Sequence, residues 1–167
     1  MLNPHLRRSR RQEARGATEF GGVRNTGSGN LYTHGNDVRT EKLSIEYKTT
    51  LADHYRLTLD ELRTAERHAV MDGREMAFIV ELRSFEYAVL TKDFFIELKG
   101  ERANYFDFEY RATLAKSYKL NLDELGQLQL RALLAGGEMA MVLGIKDHEY
   151  VVLAKDYLLL LLEAAER

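Results

Sequence analysis

Apolar residues alternate with polar ones along Leu43–Ser44–Ile45–Glu46–Tyr47–Lys48. That is the period of a half-covered β-strand, in which residues two apart share a face. The pattern predicts a strand over about Leu43–Thr49, with Ile45 and Tyr47 on one side and Glu46 beside Lys48 on the other. The period then changes. Leu59, Leu62, Ala65 and Ala69 recur at helical spacing, and Thr58 with Glu61 has the spacing of a capping box, which pairs amides that a first turn leaves open. Gly73 ends this helix. The apolar runs Met76–Leu82 and Phe85–Leu90 predict two strands, and a short helix follows from about Lys92.

The whole succession returns 63 residues later. IEYKTTLADHYRLTLDEL at 45–62 recurs as FEYRATLAKSYKLNLDEL at 108–125, and 23 of 54 aligned positions are identical. The second copy predicts strands at about Phe106–Ala112, Met139–Ile145 and Glu149–Leu153. Its helix starts at Asn121, with Glu124 at the same cap spacing, and ends by Gly136–Gly137; a last helix begins near Lys155. Two copies are fewer than the three or so that a solenoid requires. The chain is therefore divided into a core with a basic N-terminal arm (1–99), a linker (100–107) and a degenerate repeat of residues 45–98 (108–167).

Only the first copy carries an N-terminal extension. Ser9 and Gln12 predict a helix of about Arg10–Thr18, with Ala14 and Ala17 toward the sheet. Gly21–Gly22, a short strand at Val23–Arg24, the polar loop NTGSGN at 25–30 and a strand around Asn36–Thr40 follow. A turn at about Glu41–Lys42 folds Asp37 back beside Glu46.

Charge is unevenly spread. Residues 1–40 hold seven arginines against Glu13, Glu19 and Asp37, so a net −2 divides into +4 for the arm and −6 for the remainder. A basic arm on an acidic body is an electrostatic footprint for nucleic acid, or a solvated terminus. The absence of cysteine excludes disulfides and thiolate zinc sites. No apolar core follows the early arginines, so no secretory signal is expected. The longest apolar run, Tyr157–Leu162, is far below the roughly 20 residues of a membrane span. The expectation is a soluble, cytoplasmic protein of one domain or one domain with an appendage.

Two carboxylates and an ammonium on one sheet face suit metal-dependent phosphodiester cleavage. Such hydrolysis needs a deprotonated water, a stabilised phosphorane and a neutralised leaving oxygen, all of which a divalent cation can supply. Asp37 and Glu46 offer hard oxygen ligands for magnesium, with manganese expected to substitute. Their like charges would otherwise raise each other's pKa. Lys48 would orient the attacking water or hold the phosphate. A third acid comes from the first helix, Glu13 ahead of Glu19. Gly27–Ser28–Gly29 and Arg24 would meet phosphate; no Gly-Lys-Ser/Thr follows, so no nucleotide cofactor is expected. His34 is read as solvated, and His5, His54, His68 and His148 have no metal-ligand spacing. Tyr32, Tyr47 and Tyr55 could stack on bases, but Tyr55 and Tyr118 occupy equivalent positions in the two copies, which argues for packing.

The order Glu13, Arg24, Gly27–Ser28–Gly29, Asp37, Glu46-x-Lys48–Thr49–Thr50 resembles the archaeal-type Holliday junction resolvases of the PD-(D/E)XK nuclease superfamily, over about residues 6–98. Asn36 stands where the superfamily's name has proline. The resemblance implies an α/β fold, a mixed sheet flanked by helices, with magnesium, a homodimer and paired incisions across a four-way DNA junction. Glu13, Asp37 and Glu46 would bind metal and Lys48 would be the catalytic lysine, with Arg24 and Ser28 near phosphate. Arg7, Arg8, Arg10 and Arg11 would grip the backbone of branched DNA. The alternatives are a related nuclease acting on flaps or duplex, or a non-catalytic DNA-binding or scaffold protein.

The second copy keeps Glu109, has Arg111 in place of Lys48, and lacks equivalents of Glu13, Ser28 and Asp37. Asp107 shares a strand face with Glu109 and cannot replace an acid on a neighbouring strand, so this copy is expected to be inert. The run Leu158–Leu162 should be buried. Either the copy extends the sheet and reinforces a homodimer, or it occupies the family's dimer surface and leaves a monomer with one site.

Overall fold

The structure is a computed structural model that describes residues 3–25, 35–100 and 106–167. Its elements are α1 (Pro4–Phe20), β1 (Val23–Arg24), β2 (Val38–Arg39), β3 (Leu43–Thr50), β4 (His54–Thr58), α2 (Leu59–Met71), β5 (Glu75–Leu82), β6 (Phe85–Thr91) and α3 (Lys92–Lys99). There follow β7 (Phe106–Thr113), β8 (Ser117–Asn121), α4 (Leu122–Leu134), β9 (Glu138–Ile145), β10 (His148–Ala154) and α5 (Lys155–Ala165). Phe106 and Asp107 already belong to β7, so the linker expected over 100–107 is shorter and the second unit starts before residue 108.

Eight strands form one mixed sheet in the order β1-β2-β3-β5-β6-β10-β9-β7. The β3–β5 and β7–β9 pairs are parallel and the others antiparallel. Parallel neighbours need a crossover, which α2 and α4 provide. One face is covered by α2, α4 and a ribbon of β4 and β8, with Phe78, Val80, Tyr87, Met141, Tyr150 and Val152 in its core. The opposite face takes α1, α3 and α5 over Ile45, Tyr47, Ile79, Leu90, Val151 and Leu153. Leu158 and Leu161 are buried there while Leu160 stays half exposed, so most of the terminal leucine run is used within the chain.

Among the described residues, β4 and β8 pair only with each other. Their short, half-polar segments carry no strong strand period, and no such pair is expected from the sequence. The capping box at Thr58 forms as expected, its hydroxyl accepting from the Glu61 amide. In α4 it does not close: Asn121 accepts from the Asp123 amide and Glu124 accepts from the Tyr118 hydroxyl instead.

α1 begins six residues earlier than the Ser9 cap implies. Pro4 at its first position is preorganised for a helix and has no amide to leave unpaired, and Asn3 caps it. Gln12 and Gly16 are the buried positions, not Ala14, which is exposed. The helix lies against β3, where Gln12 Nε2 donates to the Lys48 carbonyl at 3.0 Å.

Candidate active site

Asp37 immediately precedes β2, at the open end of the β2–β3 hairpin, and the turn at Thr40–Lys42 folds it back along β3. Its amide donates to the Ile45 carbonyl at 2.9 Å, and its Oδ2 accepts from the Tyr47 amide at 2.8 Å. The turn is held by Thr40 Oγ1, which accepts from the amides of Lys42 and Leu43. The expected turn thus does bring Asp37 back to the Glu46 stretch. Glu46 and Lys48 share the α2 face of β3, with Lys48 Nζ 3.1 Å from Glu46 Oε1. They line a cavity of about 300 Å³ with Gly35, Asn36, Asp60, Glu61, Thr64 and His68.

Burial and the Asp37 charge push the Glu46 carboxyl up to about 7, against the pull of Lys48. Glu13 is raised for the same two reasons, burial first and then Asp37, while Arg24 at 3.1 Å opposes the shift. Lys48 stays above the usual ammonium range: burial lowers it, but Glu46, Glu61 and Asp37 outweigh that. Asp37 is therefore the shared electrostatic neighbour of one acid from α1 and one from β3. Glu19 faces elsewhere, 2.8 Å from Lys155 on α5.

Among the described residues, no three His, Asp or Glu side chains gather closely enough to hold one ion as they stand. Glu13 is turned toward Arg24 and Glu46 toward Lys48. The donor set still suits a hard divalent cation: three carboxylates, two of them disfavoured as anions by burial and by the Asp37 charge. Glu13, Asp37 and Glu46 are the residues that could hold one, once the two glutamates leave their basic partners.

The arginines divide. Arg7, Arg10 and Arg11 are exposed along α1. Arg8 is diverted from the role expected of it. It donates to Thr49 Oγ1 at 2.7 Å, to Glu81 Oε1 at 2.9 Å and to the Arg83 carbonyl, because Glu81 is only 7 % exposed and needs cations. Tyr47 is buried, and Tyr55 packs on the core and donates to Glu61 at 2.5 Å, as the packing reading has it. Ser28, with Gly27, Gly29, Tyr32 and His34, lies outside the described residues.

Sequence reasoning missed the supports. Asn36, 1 % exposed, donates from Nδ2 to Ser44 Oγ at 2.7 Å and to the Ala65 carbonyl at 3.1 Å. Its Oδ1 lies 3.3 Å from His68 Nδ1, and its carbonyl accepts from Asn25 at 2.6 Å. It ties the start of β2 to β3, to α2 and to Asn25 just after β1, and its place directly before Asp37 was the available signal. Gln12 plays the matching part from α1.

In the second copy the acids are differently placed. Glu109 is hydrogen-bonded by Arg111 at 2.7 Å and by Arg131, and these bonds hold it below the usual carboxylate range. Asp107 is 3.1 Å from Arg131.

No family model matches the chain, and no curated protein matches it. Among solved structures it is similar to Archaeoglobus fulgidus Hjc, a Holliday junction resolvase from an archaeal hyperthermophile. The identity is 18%, the match covers 68% of this chain and 86% of that one, and the TM-score is 0.44.

Proposed function

We propose that this chain is a divalent-metal-dependent DNA endonuclease that cuts branched DNA, four-way junctions in particular. The observation that carries the reading is the position of Asp37. This acid, at the start of β2 and bonded by the Tyr47 amide of β3, is the common neighbour of Glu13 and Glu46, with Lys48 at 3.1 Å from Glu46 on the same strand face. Magnesium, or manganese in its place, would supply Lewis-acid activation of water and charge stabilisation at the phosphorus. Glu13, Asp37 and Glu46 would hold it. Lys48, released from Glu46, orients the water or binds the scissile phosphate. Gln12 and Asn36 keep the β3 backbone and the start of β2 in place. Arg7, Arg10 and Arg11 meet backbone phosphates, with Arg24 and Ser28 nearer the cut, so affinity falls steeply with salt.

The test is cleavage of a labelled four-way junction in magnesium, beside duplex and flap substrates of the same sequence. Asp37→Asn and Glu46→Gln abolish cleavage and keep binding; full activity in either variant overturns the assignment. One observation favours a second reading. Glu13 and Glu46 each already have a basic partner, which suits a non-catalytic DNA-binding protein, and absence of cleavage of any DNA with either metal would decide for it.

A further inference from the structure

The contacts between the two copies are reciprocal. Strand β6 meets β10 with Val89 opposite Val152, and Tyr87 opposite Ala154 is answered by Thr91 opposite Tyr150. Each pair maps onto another when 63 is added to one number and removed from the other. The β4–β8 ribbon obeys the same rule about Arg56 and Lys119, with His54 opposite Asn121 and Thr58 opposite Ser117. Three further contacts come in matched pairs. The Leu59 amide donates to the Lys116 carbonyl at 2.8 Å, and the Leu122 amide to the Asp53 carbonyl at 2.7 Å. Tyr87 donates to Gln129 at 2.6 Å, and Tyr150 to Glu66 at 3.2 Å. Lys92 pairs with Glu149 at 2.9 Å, and Lys155 with Glu86 at 2.7 Å.

Contacts in which residue i meets j and the counterpart of j meets the counterpart of i define an isologous two-fold interface. Here both halves of that interface lie on one chain. We infer that the chain is a fused pseudo-dimer: the second copy permanently fills the surface through which the first would otherwise pair with another molecule. The two-fold unit then contains one complete acid set, not two.

The symmetry breaks around α1, which has no counterpart among the described residues of the second copy, and at substituted side chains. Lys155 is enclosed because Glu19 of α1 reaches it at 2.8 Å, whereas Lys92 remains exposed. Tyr47 is 6% exposed beneath α1, and its counterpart Tyr110 is 69% exposed. At the counterpart of Glu46, Arg111 and Arg131 hold Glu109. Resting on the nuclease reading above, the inference makes the enzyme a monomer that incises one strand per binding event. Two cuts in a junction come from two chains acting independently.

The full-length protein tests this in two ways. Light scattering across a wide concentration range, with and without junction DNA, should give one chain of 19.2 kDa in the free state and one chain per occupied site. A mass of two chains at all concentrations overturns the inference. On a supercoiled plasmid that extrudes a cruciform, nicked circles should accumulate before linear product. Direct conversion to linear DNA, with no nicked intermediate, overturns it as well. Absence of any cleavage would remove the nuclease reading, and the mass would still decide whether the chain is its own partner.

Discussion

Gly16→Ala tests how α1 delivers Glu13. In an exposed helix interior this exchange stabilises by about 1 kcal/mol. Here a Cβ at Gly16 would stand 1.8 Å from Tyr47 Oη and 2.2 Å from its Cζ. To reach even a tight contact the helix and the ring must separate by more than about 1 Å, in an interior packed to near-crystalline density. Tyr47 has no open space to enter, since it is 6% exposed and held in the core under α1. Overpacking of this kind costs about 1–3 kcal/mol, and so short an approach belongs at the upper end, which leaves a net loss of about 2 kcal/mol after the helix gain. The lifted helix also loses the 3.0 Å bond from Gln12 to the Lys48 carbonyl and carries Glu13 away from Asp37. Urea unfolding and junction cleavage, measured on the same preparation, should both fall. Gly126→Ala is the control: nothing lies within 4 Å of the added methyl on α4, so it should stabilise by up to about 1 kcal/mol. Tyr47→Leu should destabilise the parent yet recover part of the loss in Gly16→Ala, a coupling expected only of residues in contact. If Gly16→Ala is as stable as the parent and cuts as fast, α1 does not dock through this contact and the argument for Glu13 fails with it.

Three other outcomes follow from the same geometry. Glu46 is raised to about 7, so in metal-free protein its protonated form favours the fold; that contribution is full below about 4.5 and is lost as pH rises through about 7. It amounts to roughly 3 kcal/mol at most, and the parent's unfolding midpoint should decline over this window while that of Glu46→Gln stays flatter. Lys155→Met leaves Glu86 and Glu19 without their enclosed cation, although Arg15 still reaches Glu86. It should cost about 2–3 kcal/mol, below the usual loss for breaking a buried pair, whereas Lys92→Met at the equivalent solvent-screened pair should cost far less; urea unfolding separates the two. Arg111→Lys in a Glu46→Gln background should leave junction cleavage absent, since the second copy gains the lysine but none of the missing acids.

Much of the fold can be read along the chain because the signals are local. The β3 alternation, the Thr58 cap and the apolar runs of β5 and β6 each fix an element without help from its neighbours. The β2–β3 turn was also legible, and with it the approach of Asp37 to the Glu46 strand. The supports of the site were not, because they are long-range. Gln12 acts on a carbonyl 36 positions away, and Asn36 joins Ser44 to Ala65. Arg8 looked like a solvent-facing phosphate ligand until Glu81, 73 positions on, claimed it. β4 and β8 exist only because each meets its counterpart across the internal two-fold, a relation that a repeat at 63 residues permits but does not specify.

The two Glu-x-basic strands show why spacing alone does not make a site. Glu46 and Glu109 occupy equivalent positions, each two residues before a cation, on strands with parallel partners of the same register. Yet Glu46 is raised to about 7, while Glu109 is held below its ordinary value. The difference comes from what lies alongside. β3 has β2 along one edge, which brings Asp37 beside Glu46, and α2 lies over Glu46; β7 is the last strand of its sheet among the described residues, and Arg111 and Arg131 clasp Glu109. An acid that pays a burial penalty beside a second acid is relieved by a cation, and one clasped by two guanidinium groups has nothing to gain from it. On the proposed reading, the N-terminal extension, and not the duplicated strand, would be what converts a common surface pattern into a place where a divalent ion is worth holding.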